Sequence, residues 1–180
     1  DFGLLGLTIG EEYGGLGESY QTAAYVYESL GYACKNNGFI FVINNHVWVS
    51  QNIIYLYGSR ELKDKYIPNM ITGEHIGAIA ITEVNSGSDA FSMVTTAKEE
   101  GDYYILNGGK MFISNGPIAD IFVVFAVTQE NPKKITAFVV ERAFEGVKTG
   151  PDIEKMGLHA CPTSELILDN VKVPKENILG

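Results

Sequence analysis

The chain has 180 residues, 13 of them basic and 22 acidic, and a formal charge of −9. Only Arg60 and Arg142 are arginines, so the clustered cations that grip a phosphate backbone are missing and nucleic acid is excluded as a partner. Hydrophobic residues at 46% against charged residues at 19% exclude a disordered chain, and chains of this length bury about 70% of their unfolded surface.

In chain order, residues 1–73 read as helical. Tyr13-Gly14-Gly15-Leu16-Gly17 is the most glycine-dense stretch. No strand precedes it, and its spacing fits neither G-x-G-x-x-G nor a P-loop, so it reads as a tight turn into the next helix. Residues 18–30 carry Ala23, Ala24, Val26, Tyr27 and Leu30 at roughly helical spacing, and Gly31 can end that helix. Residues 39–56 give a second, strongly apolar helix stopped by Gly58. Asn44, Asn45 and His46 interrupt its apolar run, which falls far short of the ~20 residues a membrane span needs. Ser59 is the expected N-cap of a third helix, with Glu61 in its positive first turn. Leu62, Tyr66 and Ile67 mark one face and Lys63 and Lys65 another; Pro68 is expected to interrupt and Gly73 to close the segment.

From His75 onward, β-branched and aromatic runs alternate with turns. Strands are expected at 76–82, 94–98, 103–107, 110–114, 121–128, 135–141, 147–149 and 165–173. Residues 99–102 read as a hairpin loop and 129–134 as a polar loop holding Lys133 and Lys134. No helix intervenes and no parallel βαβ unit is apparent. The expected architecture is α+β: an N-terminal α-helical domain over 1–74, then a small antiparallel β-barrel domain over 75–180.

Two segments offer binding chemistry, each with a plain alternative. Thr82-Glu83-Val84-Asn85-Ser86-Gly87-Ser88-Asp89 follows an apolar strand and packs donors into eight residues. Such a loop presents N–H and O–H groups to a polar heterocycle or phosphate, or else simply satisfies its own backbone. Glu83 reads as a structural hydrogen-bond acceptor rather than a base. In Lys110-Met111-Phe112-Ile113-Ser114-Asn115-Gly116, Phe112 and Ser114 alternate with Ile113 and so share a face. A planar ring can stack on that aromatic while the hydroxyl bonds its edge; the alternative is an ordinary core Phe beside a turn Ser. His46, His75 and His159 lie on different elements without ligand spacing, so no metal site is expected. Cys34 and Cys161 match no disulfide framework, which points to a reducing compartment, the cytoplasm or the mitochondrial matrix.

Taken together and in order, these segments resemble the acyl-CoA dehydrogenase family. The resemblance runs through Glu11-Glu12-Tyr13-Gly14-Gly15, Lys65-Tyr66-Ile67-Pro68 with Gly73-Glu74, and Ala80-Ile81-Thr82-Glu83 to Gly87-Ser88-Asp89. It continues through Asn107-Gly108-Gly109-Lys110 to Phe112-Ile113-Ser114-Asn115, then Lys155-Met156-Gly157, Thr163, Glu165 and residues 169–174. It implies FAD-dependent α,β-desaturation of an acyl-CoA thioester, with the α proton taken by a base and hydride passing to flavin N5. It implies an electron-transfer flavoprotein as electron acceptor and a homo-oligomeric parent. Ile79, Ile81 and Thr82 would meet the flavin, with Gly87 and Ser88 in the same loop. Ser88 would also reach the CoA thioester arm. Phe112, standing where tryptophan is frequent, would cover one flavin face, with Ile113 beside it and Ser114 near N5. The resemblance also implies that the family's C-terminal four-helix bundle, which in most members carries the catalytic glutamate, is not part of this piece. No catalytic residue is therefore assigned here, and the 180-residue piece alone is expected to be inactive and to bind FAD poorly. The same fold also suits an acyl-CoA oxidase, a flavin monooxygenase or a non-enzymatic acyl-CoA-binding scaffold.

Overall fold

The structure, a computed structural model, describes residues 2–180. Asp1, with which the sequence reading opens its first domain, lies outside the described residues. Helices come first and strands after, as the change of periodicity at His75 implied. After two short helical turns come α1 (Tyr20–Ala33), α2 (Asn37–His46), α3 (Asn52–Tyr57) and α4 (Arg60–Thr72). Ser19 caps α1 by accepting the Thr22 N–H, Asn36 caps α2 by accepting the Phe39 N–H, and Ser59 caps α4 by accepting the Leu62 N–H.

Two helix signals behave differently from the sequence expectation. Gly31 does not end α1, which runs to Ala33. A glycine weakens a helix by about 1 kcal/mol but does not break it, and Ala23 and Tyr27 anchor that helix in a core with Leu7, Ile43 and Val47. Pro68 does not interrupt α4. It stands exposed while Leu62, Tyr66, Ile67 and Met70 bury the opposite face, and this burial outweighs one missing backbone hydrogen bond. Gly73 does close α4, at φ 80, a conformation open to glycine at little cost. The glycine-dense turn is tight because a Cβ on Gly15 would fall 2.1 Å from the Ile9 carbonyl oxygen.

The expected second helix is one rod with a wide turn in its middle. Residues Val47–Gln51 open into a π-helical turn between α2 and α3. Ser50 holds it by donating to the His46 and Asn45 carbonyls at 2.7 and 3.0 Å.

The strands are β1 (Gly77–Ala80), β2 (Thr96–Glu100), β3 (Tyr103–Ser114), β4 (Ile121–Glu130), β5 (Lys133–Glu141), β6 (Val147–Thr149), β7 (Thr163–Pro174) and β8 (Ile178–Leu179). The ladder runs β6-β7-β3-β2-β4-β5-β8, with β1 beside β4. The sheet is mixed rather than purely antiparallel: β1 pairs with β4 in parallel, and β2 meets β4 in parallel at Thr96 and Val127. The long helical path between the chain start and β1 leaves β1 free to enter beside β4 in either sense. Segments 103–107 and 110–114 form one strand, β3, bent by irregularities against β7. The polar loop at 129–134 contracts to the turn Asn131-Pro132, because β4 and β5 pair out to Glu130 and Lys133.

Alternation along the strands builds two cores. Ala78, Ala80, Phe122, Val124, Phe138, Val140, Leu166 and Val171 fill one face, so the sheet rolls around them. The reverse face of β4 and β5, through Ile121, Val123 and Val139, packs on Tyr66, Ile67 and Met70 of α4 and Ile54 of α3. This second core fixes the helical layer against the sheet and so fixes the end of β1. No described helix is long and apolar enough to cross a membrane.

Candidate functional site

β1 ends at Ala80 and the chain continues through Ile81 and Thr82 to Glu83. Alternation puts Ala78 and Ala80 in the rolled core and Ile79 on the helix-facing side, packed against the second core. Ile81 and Thr82 are half-buried. The Thr82 carbonyl accepts the Met111 N–H at 2.8 Å, so segments 29 residues apart in the chain lie side by side.

On β3, the residue after Met111 leaves the strand conformation. Phe112 has φ 59, in the left-handed region, within the bulge that shifts β3 against β7 between Lys110 and Ile113. A left-handed bulky residue costs roughly 1–2 kcal/mol, and such strain persists where the surroundings enforce it. The consequence is an aromatic ring left 62% exposed beside the Thr82 strand end. Simple alternation does not hold across this bulge. Ile113 is buried in the rolled core, whereas Phe112 and the Thr82 strand end form an open shelf. Ser114 is half-buried, at the end of β3. Gly87 and Ser88 are exposed in the same loop. That loop turns back at once, through paired backbone hydrogen bonds between Glu83 and Ser86.

Beneath this shelf lies a buried ion pair. Lys110 is 0% and Glu83 6% exposed at the side chain. Lys110 Nζ donates to Glu83 Oε1 at 2.8 Å and to the Ile81 carbonyl at 3.1 Å. Glu83 also accepts the Val94 N–H at 2.7 Å and the Thr95 N–H at 3.0 Å. Burial alone would raise the Glu83 pKa; the hydrogen bonds from Lys110 and the 94–95 backbone outweigh it and bring it down to about 2. Burial pulls the Lys110 pKa down, and Glu83 opposes that. Glu83 is thus a structural acceptor, as its position after a strand end suggested.

Asn115, also left-handed at φ 63 and buried, ties the end of β3 to its surroundings. Its amide donates to the Val42 carbonyl on α2 at 3.1 Å and to the Gly77 carbonyl on β1 at 3.2 Å. Sequence reading assigned no role to Lys110 or Asn115. The visible signals were a lysine inside an apolar strand and an Asn-Gly pair at its end, but their partners lie 27 to 73 residues away.

Two open grooves lie elsewhere. One groove of about 750 Å³ is lined by Tyr57, Tyr104, Phe125 and Ile135. A second, of about 430 Å³, is lined by Lys65, Tyr66, His75 and Glu141. Its polar groups are largely engaged with each other, since Lys65 and Tyr66 both donate to Glu141 at 2.7 Å.

Comparison with known families fits this arrangement. The model for the acyl-CoA dehydrogenase N-terminal domain matches residues 1–74, and the model for the middle domain of the same family matches residues 78–171. The chain belongs to the acyl-CoA dehydrogenase family. It is 43% identical to a glutaryl-CoA dehydrogenase of Desulfococcus multivorans over all of its own length and 47% of that protein. Among solved structures, an FAD-dependent dehydrogenase superposes with TM-score 0.98 at 40% identity, over 100% of this chain and 50% of the other. A prolyl acyl carrier protein oxidase, AnaB, superposes with TM-score 0.96 at 40% identity, over 99% of this chain and 48% of the other. The chain thus spans about half the length of the relatives it matches.

Proposed function

We propose that this acyl-CoA dehydrogenase chain supplies the flavin shelf and part of the acyl pocket of an enzyme that desaturates acyl thioesters between Cα and Cβ. The observation that carries this reading is the Met111–Thr82 hydrogen bond, which sets a donor-rich strand end beside the exposed, left-handed Phe112. The reading divides the chain into a helical part, 1–74, and a β part, 75–180.

The residues on the shelf fit FAD: an open aromatic face, half-buried aliphatic and hydroxyl groups, and a rigid base. Bound FAD would supply the hydride acceptor, and everything else asked of this chain is binding and placement. Phe112 offers a stacking face, Ile79 and Ile81 apolar contact, and Thr82 and Ser114 hydroxyls for a ring edge. Gly87 and Ser88, exposed just after the 83–86 turn, would meet a ligand's polar arm. Excluding water from this shelf strengthens the hydrogen bonds that polarise a thioester carbonyl and acidify its α proton. Glu83 is not the base for that proton. Its carboxylate is ionised, buried and filled by three donors.

The test uses the full-length protein. It should purify yellow and reduce an electron-transfer flavoprotein or an artificial acceptor when given acyl-CoA. A colourless protein that takes up no FAD would contradict the reading. The likeness to an acyl carrier protein oxidase supports a second reading, in which the thioester is carried by a protein and oxygen accepts the electrons. Oxygen consumption with a carrier-bound substrate, and none with acyl-CoA, would select it.

A further inference from the structure

We propose that the Glu83–Lys110 ion pair is a positioning clasp for the shelf: it holds the carbonyl of Ile81 and the backbone at Val94–Thr95 against β3, and so sets where Thr82 and Phe112 stand. The proposal rests on the reading that this shelf binds FAD, but the clasp itself is argued from geometry.

Three separate stretches of chain meet at one ammonium. Lys110 projects from β3 and reaches the Ile81 carbonyl, the Glu83 carboxylate and, at 3.8 Å, the sulfur of Met93. Glu83 in turn gathers the N–H groups of Val94 and Thr95. The next residue on β3, Met111, bonds the next carbonyl in the loop, that of Thr82. Carbonyls 81 and 82 are therefore taken by consecutive residues of β3, one through a side chain and one through the backbone. Phe112 follows directly, in its left-handed bulge. A lysine with no exposed surface is costly to desolvate, and apolar replacement of such pairs is often neutral for stability. Holding two ligand-facing segments in register is a role that an apolar pair cannot fill.

The experiment compares the full-length flavoprotein with K110M, with the double variant E83Q/K110M, and with V173A. Val173 lies in the rolled core opposite Tyr104, eight residues along β3 from Phe112, and serves as a control for lost stability alone. FAD affinity by fluorescence quenching, the visible spectrum of bound flavin, melting temperature and hydrogen exchange at the Met111 amide are measured. K110M should lower FAD affinity at least tenfold, shift the bound-flavin band and speed Met111 exchange. The double variant should recover much of the melting temperature, since no buried charge is left unpaired, without recovering affinity or Met111 protection. V173A should melt earlier yet keep affinity within twofold. Affinity that follows melting temperature across all variants overturns the clasp, as does unchanged Met111 exchange in K110M and the double variant. A wild-type protein that binds no FAD instead overturns the flavin reading, while Met111 exchange still decides the clasp.

Discussion

Phe112 carries the account at the scale of single residues, because its backbone and its exposure both run against what an isolated strand would choose. Aromatic stacking of this kind contributes about 1 kcal/mol. Replacing Phe112 with Ala should therefore weaken FAD binding in the full-length protein by ~5-fold, with little change in melting temperature, since the ring is already mostly in water. Fluorescence titration and a thermal melt check both halves. Asn115 is the converse case, a polar residue wholly inside. Asn115→Ala removes two donors from buried carbonyls and forces a Cβ residue without a side-chain amide into the left-handed region. The expected cost is about 2–4 kcal/mol by denaturant unfolding. Phe112 was legible as a stacking candidate because an aromatic in an otherwise ordinary strand is visible locally. The bulge that exposes it was not, since it arises from the pairing of β3 with β7. Ile113, which the resemblance sets beside Phe112, is buried in the rolled core.

Elements show where local signals were sufficient and where packing overrode them. Ser59, Gly58 and Gly73 mark helix ends that hold, because caps and left-handed stops act within one turn. Gly31 and Pro68 looked like ends and are not, because the apolar faces around them outweigh a local penalty. Gly31 faces open space on its would-be Cβ side and sits inside α1. Gly31→Ala should therefore stabilise the protein by about 0.5–1 kcal/mol in chemical denaturation. A loss of stability there would mean that α1 is not helical through residue 31. Strand positions were readable from alternation, but strand partners were not. The parallel entry of β1 beside β4 is a long-range choice that no window of sequence reports, and it is what brings Thr82 to Met111.

Across the whole molecule, the helical layer and the sheet are joined by a second core and by one buried histidine. His46 Nδ1 accepts the Gly77 N–H of β1 at 2.9 Å, and Nε2 lies 2.9 Å from the Met70 carbonyl of α4. This pattern requires the neutral ring with its proton on Nε2. Burial, the main cause, lowers the His46 pKa, only partly offset by the hydrogen bonds to Met70 and Gln51. A group whose folded pKa lies below its unfolded value of ~6.5 gives its full stabilisation above that pH. That stabilisation declines as pH falls from ~6.5 towards the lower folded value. Urea unfolding at stepped pH should show this loss in the wild type and a shallower slope in H46Q. Glu83 acts further down: its stabilisation is present above ~4.3 and is lost as pH falls towards about 2.

The most direct measurement of the central claim is a crystal structure of the full-length protein with FAD bound. The account predicts the flavin ring against Phe112, with its polar edge within hydrogen-bond reach of Thr82 and Ser114. A flavin seated in the groove beside Tyr57 and Tyr104, with the Phe112 ring still in solvent, would contradict it.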